Sequence, residues 1–242
     1  MNILSIGNSY SEDAHRYIHR IARADKFELN TANLFIGGCS LSTHYRNMLS
    51  DKEKYILSVN GEITGFPVSL KEALLNRSWD VITLQQVSLE SPYYETYQPY
   101  LNKIAEYVRL CCPKAKLVIH QTWAYEQGSK RLNEIMGYKD RKEMFNDLEN
   151  AYQQAAKDIN ADFIIPSGKI LQMLLDSGVQ TVHRDTVHTT LGLGRYAIGL
   201  LWYKLLTGND IQNNSFSDFD EEVTESEVLL AKKCVEEICS SL

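Results

Sequence analysis

Short, continuous runs of apolar residues alternate with helical patterns along almost the whole 242-residue chain. Five of these runs predict strands, at residues 2–6, 31–36, 80–86, 116–121 and 161–165. They lack the strict alternation of apolar and polar residues that marks a half-exposed sheet, so both faces of the sheet are expected to be covered. The pattern therefore predicts a parallel sheet built from right-handed βαβ units.

Helical periodicity fills most segments between the predicted strands. One helix is expected to begin near residue 12, and the others are predicted at 93–111, 141–158, 168–177, 190–206 and 224–240. No repeat or linker divides the chain, which predicts a single three-layer α/β/α domain over residues 1–242 with a five-stranded parallel sheet. The acidic stretch 217–226 is interpreted as a solvated loop before the last helix.

Charge and composition argue against several classes of partner. The formal net charge is −6, and the basic residues are scattered among acids, so neither nucleic acid nor a membrane surface is an expected partner. The five cysteines have no metal-binding spacing, and no metal or other cofactor is expected. The chain as written begins without a signal peptide, which predicts a cytoplasmic protein, or a secreted or periplasmic one if such a peptide was removed.

The stretch ILSIGNSYSEDA, residues 3–14, carries the first predicted strand directly into Ser9. In open parallel sheets, ligands bind beyond the carboxyl ends of the strands. The corresponding segments here are 7–11, 37–40, 85–88 and 121–125, and functional side chains are expected among them. A serine at such an edge can act as a nucleophile, but a polar turn is an equally ordinary use of this pattern.

The segment HRDTVHTT, residues 183–190, supplies groups that a catalytic serine needs. Asp185 and His188 are three residues apart, so the carboxylate can accept a hydrogen bond from Nδ1 and leave Nε2 free as a base. An unassisted serine hydroxyl is a poor nucleophile at neutral pH. The alternative is that Asp185 caps the next helix and His188 is an ordinary polar residue. Each motif is weak alone, but each supplies what the other lacks.

Three groups at the predicted strand ends are candidate oxyanion donors. They are the N–H of Ser9, the N–H of Gly38 in IGGCS, and the side-chain amide of Gln85 or Gln86. Donors of this kind stabilise the charge that develops on a carbonyl oxygen under attack. The alternative interpretations are a simple turn for Ser9, a loop hinge for Gly38, and a buried polar side chain for the glutamine.

Together these blocks resemble the SGNH hydrolase superfamily, also called GDSL-type esterases and lipases. The similarity is greatest to a bacterial branch with Gly-Asn-Ser in place of Gly-Asp-Ser. The resemblance implies a flavodoxin-like α/β/α fold, a triad of Ser9, Asp185 and His188, and Gly38 as an oxyanion donor. The segment LQQVSLES, which follows the start of the third predicted strand, departs from the family, because it has no Asn where the family usually has one. Gln86 is the predicted substitute, and Ser88 lies nearest by strand alignment.

The predicted function is therefore that of a serine esterase that cleaves a small acyl ester, with an acetylated carbohydrate as a candidate substrate. His120, Trp123 and Tyr125 are expected to line the rim of the site, together with the tyrosine-rich segment 93–100. A conventional α/β-hydrolase is disfavoured because GNSYS lacks the second glycine of GxSxG.

Two alternatives from other classes keep the same fold. One is a non-catalytic relative that binds carbohydrate. The other is a flavodoxin-like module that binds phosphate through Ser9 and Ser11 at the first loop. The sequence leaves the oligomeric state open.

Overall fold

A mixed sheet of seven strands forms the centre of the fold in the computed structural model, which describes residues 1–242. The strands are β1 Asn2–Gly7, β2 Asn30–Phe35, β3 Tyr55–Val59, β4 Glu62–Val68, β5 Val81–Leu84, β6 Lys116–Gln121 and β7 Ile164–Pro166. Their order across the sheet is β4-β3-β2-β1-β5-β6-β7. Strands β2, β1, β5, β6 and β7 are parallel, and they correspond to the five predicted runs.

The prediction of a five-stranded, wholly parallel sheet is wrong, because β3 and β4 extend the sheet as an antiparallel hairpin. Asn60 and Gly61 form its turn with φ of 51° and 78°. Two positive φ values at the centre of a two-residue turn match the twist of the flanking strands. Strand β4 is an edge strand exposed along most of its length, so it carries no continuous apolar run.

Eight α-helices cover the two faces of the sheet. They are α1 Ser9–Ala24, α2 Leu41–Ser50, α3 Leu70–Leu75, α4 Tyr100–Cys111, α5 Arg141–Asp158, α6 Ser167–Asp176, α7 Leu193–Thr207 and α8 Glu225–Ser240. One apolar core lies between the sheet and α1, α6, α7 and α8, and a second lies between the sheet and α2 to α5. The α/β/α arrangement is as predicted. No helix combines the length and apolar character needed to cross a bilayer.

Three helices begin three or more residues from the predicted position, and one of them is α7, which begins at Leu193 instead of residue 190. Helix α1 begins at Ser9 rather than near residue 12, because the Asn8 side chain accepts a hydrogen bond from the N–H of Tyr10 and caps the helix. Helix α4 begins only at Tyr100, and the residues before it contain a single 3₁₀ turn at Tyr94–Thr96. Helices α2 and α3 lie in a segment for which no helix was predicted.

The order in which the chain adds parallel strands to the sheet reverses at β1. From β1 the chain places β2 on one side and then β5, β6 and β7 on the other. Such a switch point opens a crevice at the carboxyl ends of the two adjoining strands, where ligands bind in open α/β sheets. Ser9 follows β1 and Gln85 follows β5, so both lie at this switch point.

Candidate active site

Ser9 is the first residue of α1 and is held by the residues on either side. Asn8 is in extended conformation and turns the chain from the strand into the helix. Its Oδ1 accepts from the Tyr10 N–H at 3.0 Å, and its Nδ2 donates to the Cys39 carbonyl at 3.1 Å. A Cβ at Gly7 would lie 1.9 Å from Ser11 Oγ, so the strand end needs glycine for space.

The structure brings Ser9, His188 and Asp185 into one hydrogen-bonded chain. Ser9 Oγ lies 2.8 Å from His188 Nε2, and His188 Nδ1 lies 2.8 Å from Asp185 Oδ2. Because a carboxylate only accepts hydrogen bonds, Nδ1 carries the proton and Nε2 accepts from the serine hydroxyl. The arrangement can therefore transfer the serine proton to the imidazole.

Hydrogen bonds from the residues that follow Asp185 keep its carboxylate ionised. Partial burial alone would raise its pKa, but hydrogen bonds from the His188 N–H at 2.7 Å, the His188 imidazole and the Val187 N–H at 3.1 Å lower the pKa below its ordinary value. An ionised carboxylate at this position stabilises an imidazolium and fixes its orientation.

The loop that carries His188 rests on buried aromatic side chains. The Val187 carbonyl accepts from Trp123 Nε1 at 2.8 Å and from the Tyr10 hydroxyl at 3.1 Å. The Tyr10 ring stacks on Trp123 with centroids 4.0 Å apart and meets His188 edge-on. Trp123 and Tyr125 are buried, so they support the site from beneath instead of lining its rim as expected.

Two backbone donors at this sheet edge are free of protein partners. Neither the Ser9 N–H nor the Gly38 N–H makes a hydrogen bond within the protein. Gly38 is exposed, has a φ of 63°, and lies in a turn closed by the Cys39 N–H on the Ile36 carbonyl at 3.2 Å. The Asn8 amide joins this turn to the Ser9 turn through Cys39.

The predicted third donor, Gln86, has its amide engaged elsewhere. Its Nε2 donates to the backbone and side chain of Thr96 at 3.3 and 3.2 Å, and its Oε1 accepts from the N–H groups of Leu41 and Val87 at 2.9 Å each. Gln86 therefore holds the loop after β5 against α2 and lacks the free N–H that the prediction required.

The other two side chains considered for that donor differ from each other. Gln85 donates through Nε2 to Asn8 Oδ1 at 2.7 Å, while its Oε1 accepts from Ser11 and His120. Ser88 Oγ accepts from the Tyr125 hydroxyl at 2.8 Å, and its own proton has no acceptor within the protein. After these contacts Gln85 keeps one amide N–H without an acceptor and Ser88 keeps its hydroxyl proton, whereas Gln86 has neither N–H free.

A buried polar layer beneath the site was not predicted. Ser5 Oγ lies 2.8 Å from His15 Nε2 and 2.7 Å from Thr83 Oγ1, and His120 Nδ1 donates to Gln85 Oε1 at 2.8 Å. His120 was expected at the rim of the site, but it is fully buried, as is His15. Burial lowers the pKa of each imidazole to about 3, so both are neutral.

The acidic stretch 217–226 is a mostly exposed loop that leads into α8, as predicted, and it also binds arginines. Asp220 contacts Arg16 at 2.6 Å and Arg195 at 3.0 Å, and these pairs lower its pKa to about 2. Glu221 accepts from the N–H groups of Leu191 and Gly192, immediately before α7. No group of three or more His, Cys, Asp or Glu side chains is arranged to hold a metal ion.

Comparison with known proteins places the chain in a family. The family model described as "Domain of unknown function (DUF4886)" matches residues 2–237. The crystal structure of a DUF4886 family protein from Bacteroides uniformis is 29% identical, with a TM-score of 0.92 over 99% of this chain and 95% of that one. No curated protein matches the sequence significantly.

More distant solved structures share the fold. A candidate SGNH hydrolase from Slackia heliotrinireducens is 24% identical, with a TM-score of 0.61 over 85% of this chain and 98% of that one. A lipase/acylhydrolase from Enterococcus faecalis is 11% identical, with a TM-score of 0.57 over 86% and 95% of the two chains. At these identities the likeness is one of fold alone, and that fold is the one the sequence resemblance implied.

Proposed function

The chain belongs to the DUF4886 family, and from that premise we propose that it is a serine hydrolase that cleaves small acyl esters. The observation that carries the proposal is the hydrogen-bonded chain from Ser9 through His188 to Asp185. The likeness of its fold to SGNH and GDSL-type hydrolases supports the same assignment. A shared fold does not establish a shared function, so the proposal depends on the side-chain geometry of the site.

In the proposed mechanism, Ser9 Oγ attacks the ester carbonyl while His188 Nε2 takes the serine proton. Asp185 stabilises the imidazolium that results. The tetrahedral oxyanion accepts hydrogen bonds from the Ser9 and Gly38 N–H groups, which have no competing partner in the protein. When the C–O bond breaks, His188 returns the proton to the leaving alcohol. Water then attacks the acyl-serine with His188 again as base, which releases the acid and restores Ser9.

The third oxyanion donor is assigned to Ser88 in this proposal. Gln86 donates both of its amide N–H groups to Thr96, and Gln85 is buried and held in place by Asn8, Ser11 and His120, whereas the Ser88 hydroxyl retains a proton to donate. Loss of one such donor costs about 10²–10³ in rate in enzymes of this chemistry. A Ser88→Ala variant tests the assignment through kcat.

An acetylated carbohydrate remains the proposed substrate class. The burial of Trp123 and Tyr125 removes two of the aromatic rings that were expected to line the rim of the site. Tyr93, in the loop that follows β5, keeps an exposed ring at the sheet edge that also carries Ser9. Aromatic rings with one open face suit the apolar face of a pyranose.

The phosphate-binding alternative is disfavoured by the state of the two serines it requires. Ser9 Oγ is hydrogen bonded to His188, and Ser11 is fully buried with its hydroxyl donating to Gln85 Oε1. Neither hydroxyl is free to bind a phosphate. The non-catalytic carbohydrate-binding alternative has no structural observation in its favour and becomes an outcome of the test below.

The test is hydrolysis of p-nitrophenyl acetate and butyrate by the wild type and by Ser9→Ala, His188→Gln and Asp185→Asn. We expect losses in kcat of at least about 10³-fold for Ser9→Ala and His188→Gln, since the members of a triad act as a unit. Equal activity in wild type and Ser9→Ala would remove Ser9 from the mechanism. Absence of turnover on all esters, together with measurable glycan binding, would favour the carbohydrate-binding relative.

A further inference from the structure

Asp13 is a fully buried carboxylate bound by two arginines from distant parts of the chain. Its Oδ1 accepts from Arg184 Nη1 at 2.9 Å and from Arg195 Nε at 2.9 Å, and its Oδ2 accepts from Arg184 Nη1 at 3.1 Å. The Asp13 side chain has no exposed surface. Buried ion pairs often add little net stability compared with apolar residues of the same size, so a pair of this kind calls for another explanation.

Arg184 closes a small ring around the Asp185–His188 segment. It is the residue before Asp185, and its Nη1 also donates to the carbonyl of Thr189, the residue after His188. The Arg184 N–H donates to the His188 carbonyl at 3.0 Å. One guanidinium therefore fastens both ends of the segment to the same carboxylate.

Asp13 lies on α1 one turn after Ser9, so the two side chains are carried by the same rigid element. The relative position of Ser9 and His188 is then set by one turn of helix and one ion pair. We propose that Asp13 is a positioning residue that, through Arg184, holds His188 Nε2 within hydrogen-bond reach of Ser9 Oγ. This inference rests on the proposed function, because it assigns a role in the same catalytic unit.

Arg195 provides a matched control for Arg184. Each arginine is one of the two cationic partners of Asp13, but Arg195 lies on α7 and makes its other contact with Asp220, away from the His188 loop. Replacing either by methionine removes one partner of Asp13 and leaves the other in place. A purely structural role for the ion pair predicts the same effect on catalysis from both variants, whereas a positioning role separates them.

The experiment compares kcat and KM for p-nitrophenyl acetate, and the melting temperature, among wild type, Arg184→Met and Arg195→Met. We expect both variants to melt earlier. We expect Arg184→Met alone to lose kcat, on the order of 10- to 100-fold with little change in KM, because small misplacements of catalytic groups have effects of that size. A similar loss of kcat in both variants, or a wild-type kcat in Arg184→Met, would overturn the proposal.

Arg184→Gln keeps the comparison decisive if Arg184→Met does not fold. The glutamine amide is neutral and hydrogen-bonding, so it removes the ion pair with less penalty in a polar site. We expect Arg184→Gln to show the same selective loss of kcat. A wild-type kcat in that variant would contradict the positioning role.

A measurement that needs no turnover separates this inference from the proposed function. The nitrogen NMR shift of His188 Nε2 reports the hydrogen bond that this atom accepts from Ser9 Oγ. Replacing Ser9 by alanine should move this shift in the wild-type and Arg195→Met backgrounds, but not in Arg184→Met or Arg184→Gln, where the hydrogen bond is already lost. The same Ser9-dependent change in an Arg184 variant would refute the positioning role even if wild type hydrolysed no ester, an outcome that would count against the esterase alone.

Discussion

Asn8 shows how much one side chain contributes to the candidate site. Its carbonyl oxygen accepts from the Tyr10 N–H and from Gln85 Nε2, and its amide nitrogen donates to the Cys39 carbonyl. An aspartate could make the first two contacts but could not donate the third. The Gly-Asn-Ser sequence therefore links the Ser9 turn to the Gly38 turn by a hydrogen bond that Gly-Asp-Ser could not make.

An Asn8→Asp substitution tests this coupling. The variant keeps the helix cap but sets a carboxylate against the Cys39 carbonyl, so the Gly38 turn loses its tie. We expect a loss of about 1 kcal/mol in the free energy of unfolding, the usual worth of one hydrogen bond, and a drop in kcat with Ser9 still reactive. Urea denaturation and ester turnover measure the two effects. Unchanged values for both would mean that the Asn8–Cys39 bond has no role.

For single residues, the sequence predicted those contacts whose two partners lie close together in the chain. Asp185 and His188 lie three residues apart, and their mutual hydrogen bond follows from that spacing. The contacts of Gln86 could not be predicted in this way. Whether its amide is free depends on Leu41, 45 positions earlier, and on the fold of the loop that contains Thr96.

At the element scale, the β3–β4 hairpin is the largest feature that was not predicted, although the sequence carried a signal for it. Asn60-Gly61 is the dipeptide most favoured in two-residue hairpin turns, and β-branched and aromatic residues flank it in YILSVNGEITGF. The edge position of β4 concealed the strand, since exposed residues there give no apolar run.

A pair of glycine substitutions in the hairpin tests how closely it packs on α1. A Cβ at Gly61 would lie 2.8 Å from the backbone of Arg16, whereas a Cβ at Gly65 meets nothing within 4 Å. Both have positive φ, so both variants pay the same backbone penalty of about 1 kcal/mol. We expect Gly61→Ala to be destabilised by at least 2 kcal/mol more than Gly65→Ala, because overpacking adds its own cost.

Thermal or urea unfolding of the two variants measures this difference. Equal destabilisation would show that the hairpin moves away from α1 without cost. The same helix carries Ser9 and Asp13, so activity measured alongside stability also reports whether the hairpin helps to hold the face of α1 that carries Ser9.

Four histidines are buried in the folded protein, and burial lowers the pKa of each. The pKa falls to about 3 for His15 and His120 in the polar layer beneath the site and for His44 on α2, and the fourth histidine is His183. The ordinary histidine pKa of about 6.5 applies in the unfolded chain. Below that value the unfolded state binds protons that the folded state cannot, so stability is full above pH 6.5 and falls as the pH drops toward 3.

The free energy of unfolding is expected to fall steeply as the pH decreases. Each such group costs up to about 1.4 kcal/mol per pH unit, and the three with a pKa of about 3 together cost about 4 kcal/mol per unit. Since folded proteins are stable by about 5–15 kcal/mol, we expect acid unfolding near pH 4 to 5. Circular dichroism and urea denaturation across pH 7 to 4 measure this dependence, and His44→Phe should lower the slope by about a third. A stability that does not change over this range would contradict the assignment of buried, neutral histidines.

The layered α/β architecture was predictable because it follows from the alternation of apolar runs and helical periods. The five parallel strands lie where those runs predict them, and helix α5 has the predicted bounds 141–158. The polar layer, the arginine contacts of the acidic stretch and the Asp13 ion pairs were not predictable. Each depends on partners far apart in the chain, such as Asp13 with Arg184, which only the folded arrangement brings together.

If His188 activates Ser9 as a nucleophile, an acyl group should be transferred to Ser9 and can be trapped there. The protein is mixed with excess p-nitrophenyl acetate, quenched in acid, and analysed by intact mass and by peptide mapping. We predict one acetyl group per chain, located on Ser9, and no adduct on the neighbouring buried Ser11 or in Ser9→Ala. Turnover of the ester with the acyl group on another residue, or the same adduct in Ser9→Ala, would show that Ser9 is not the nucleophile.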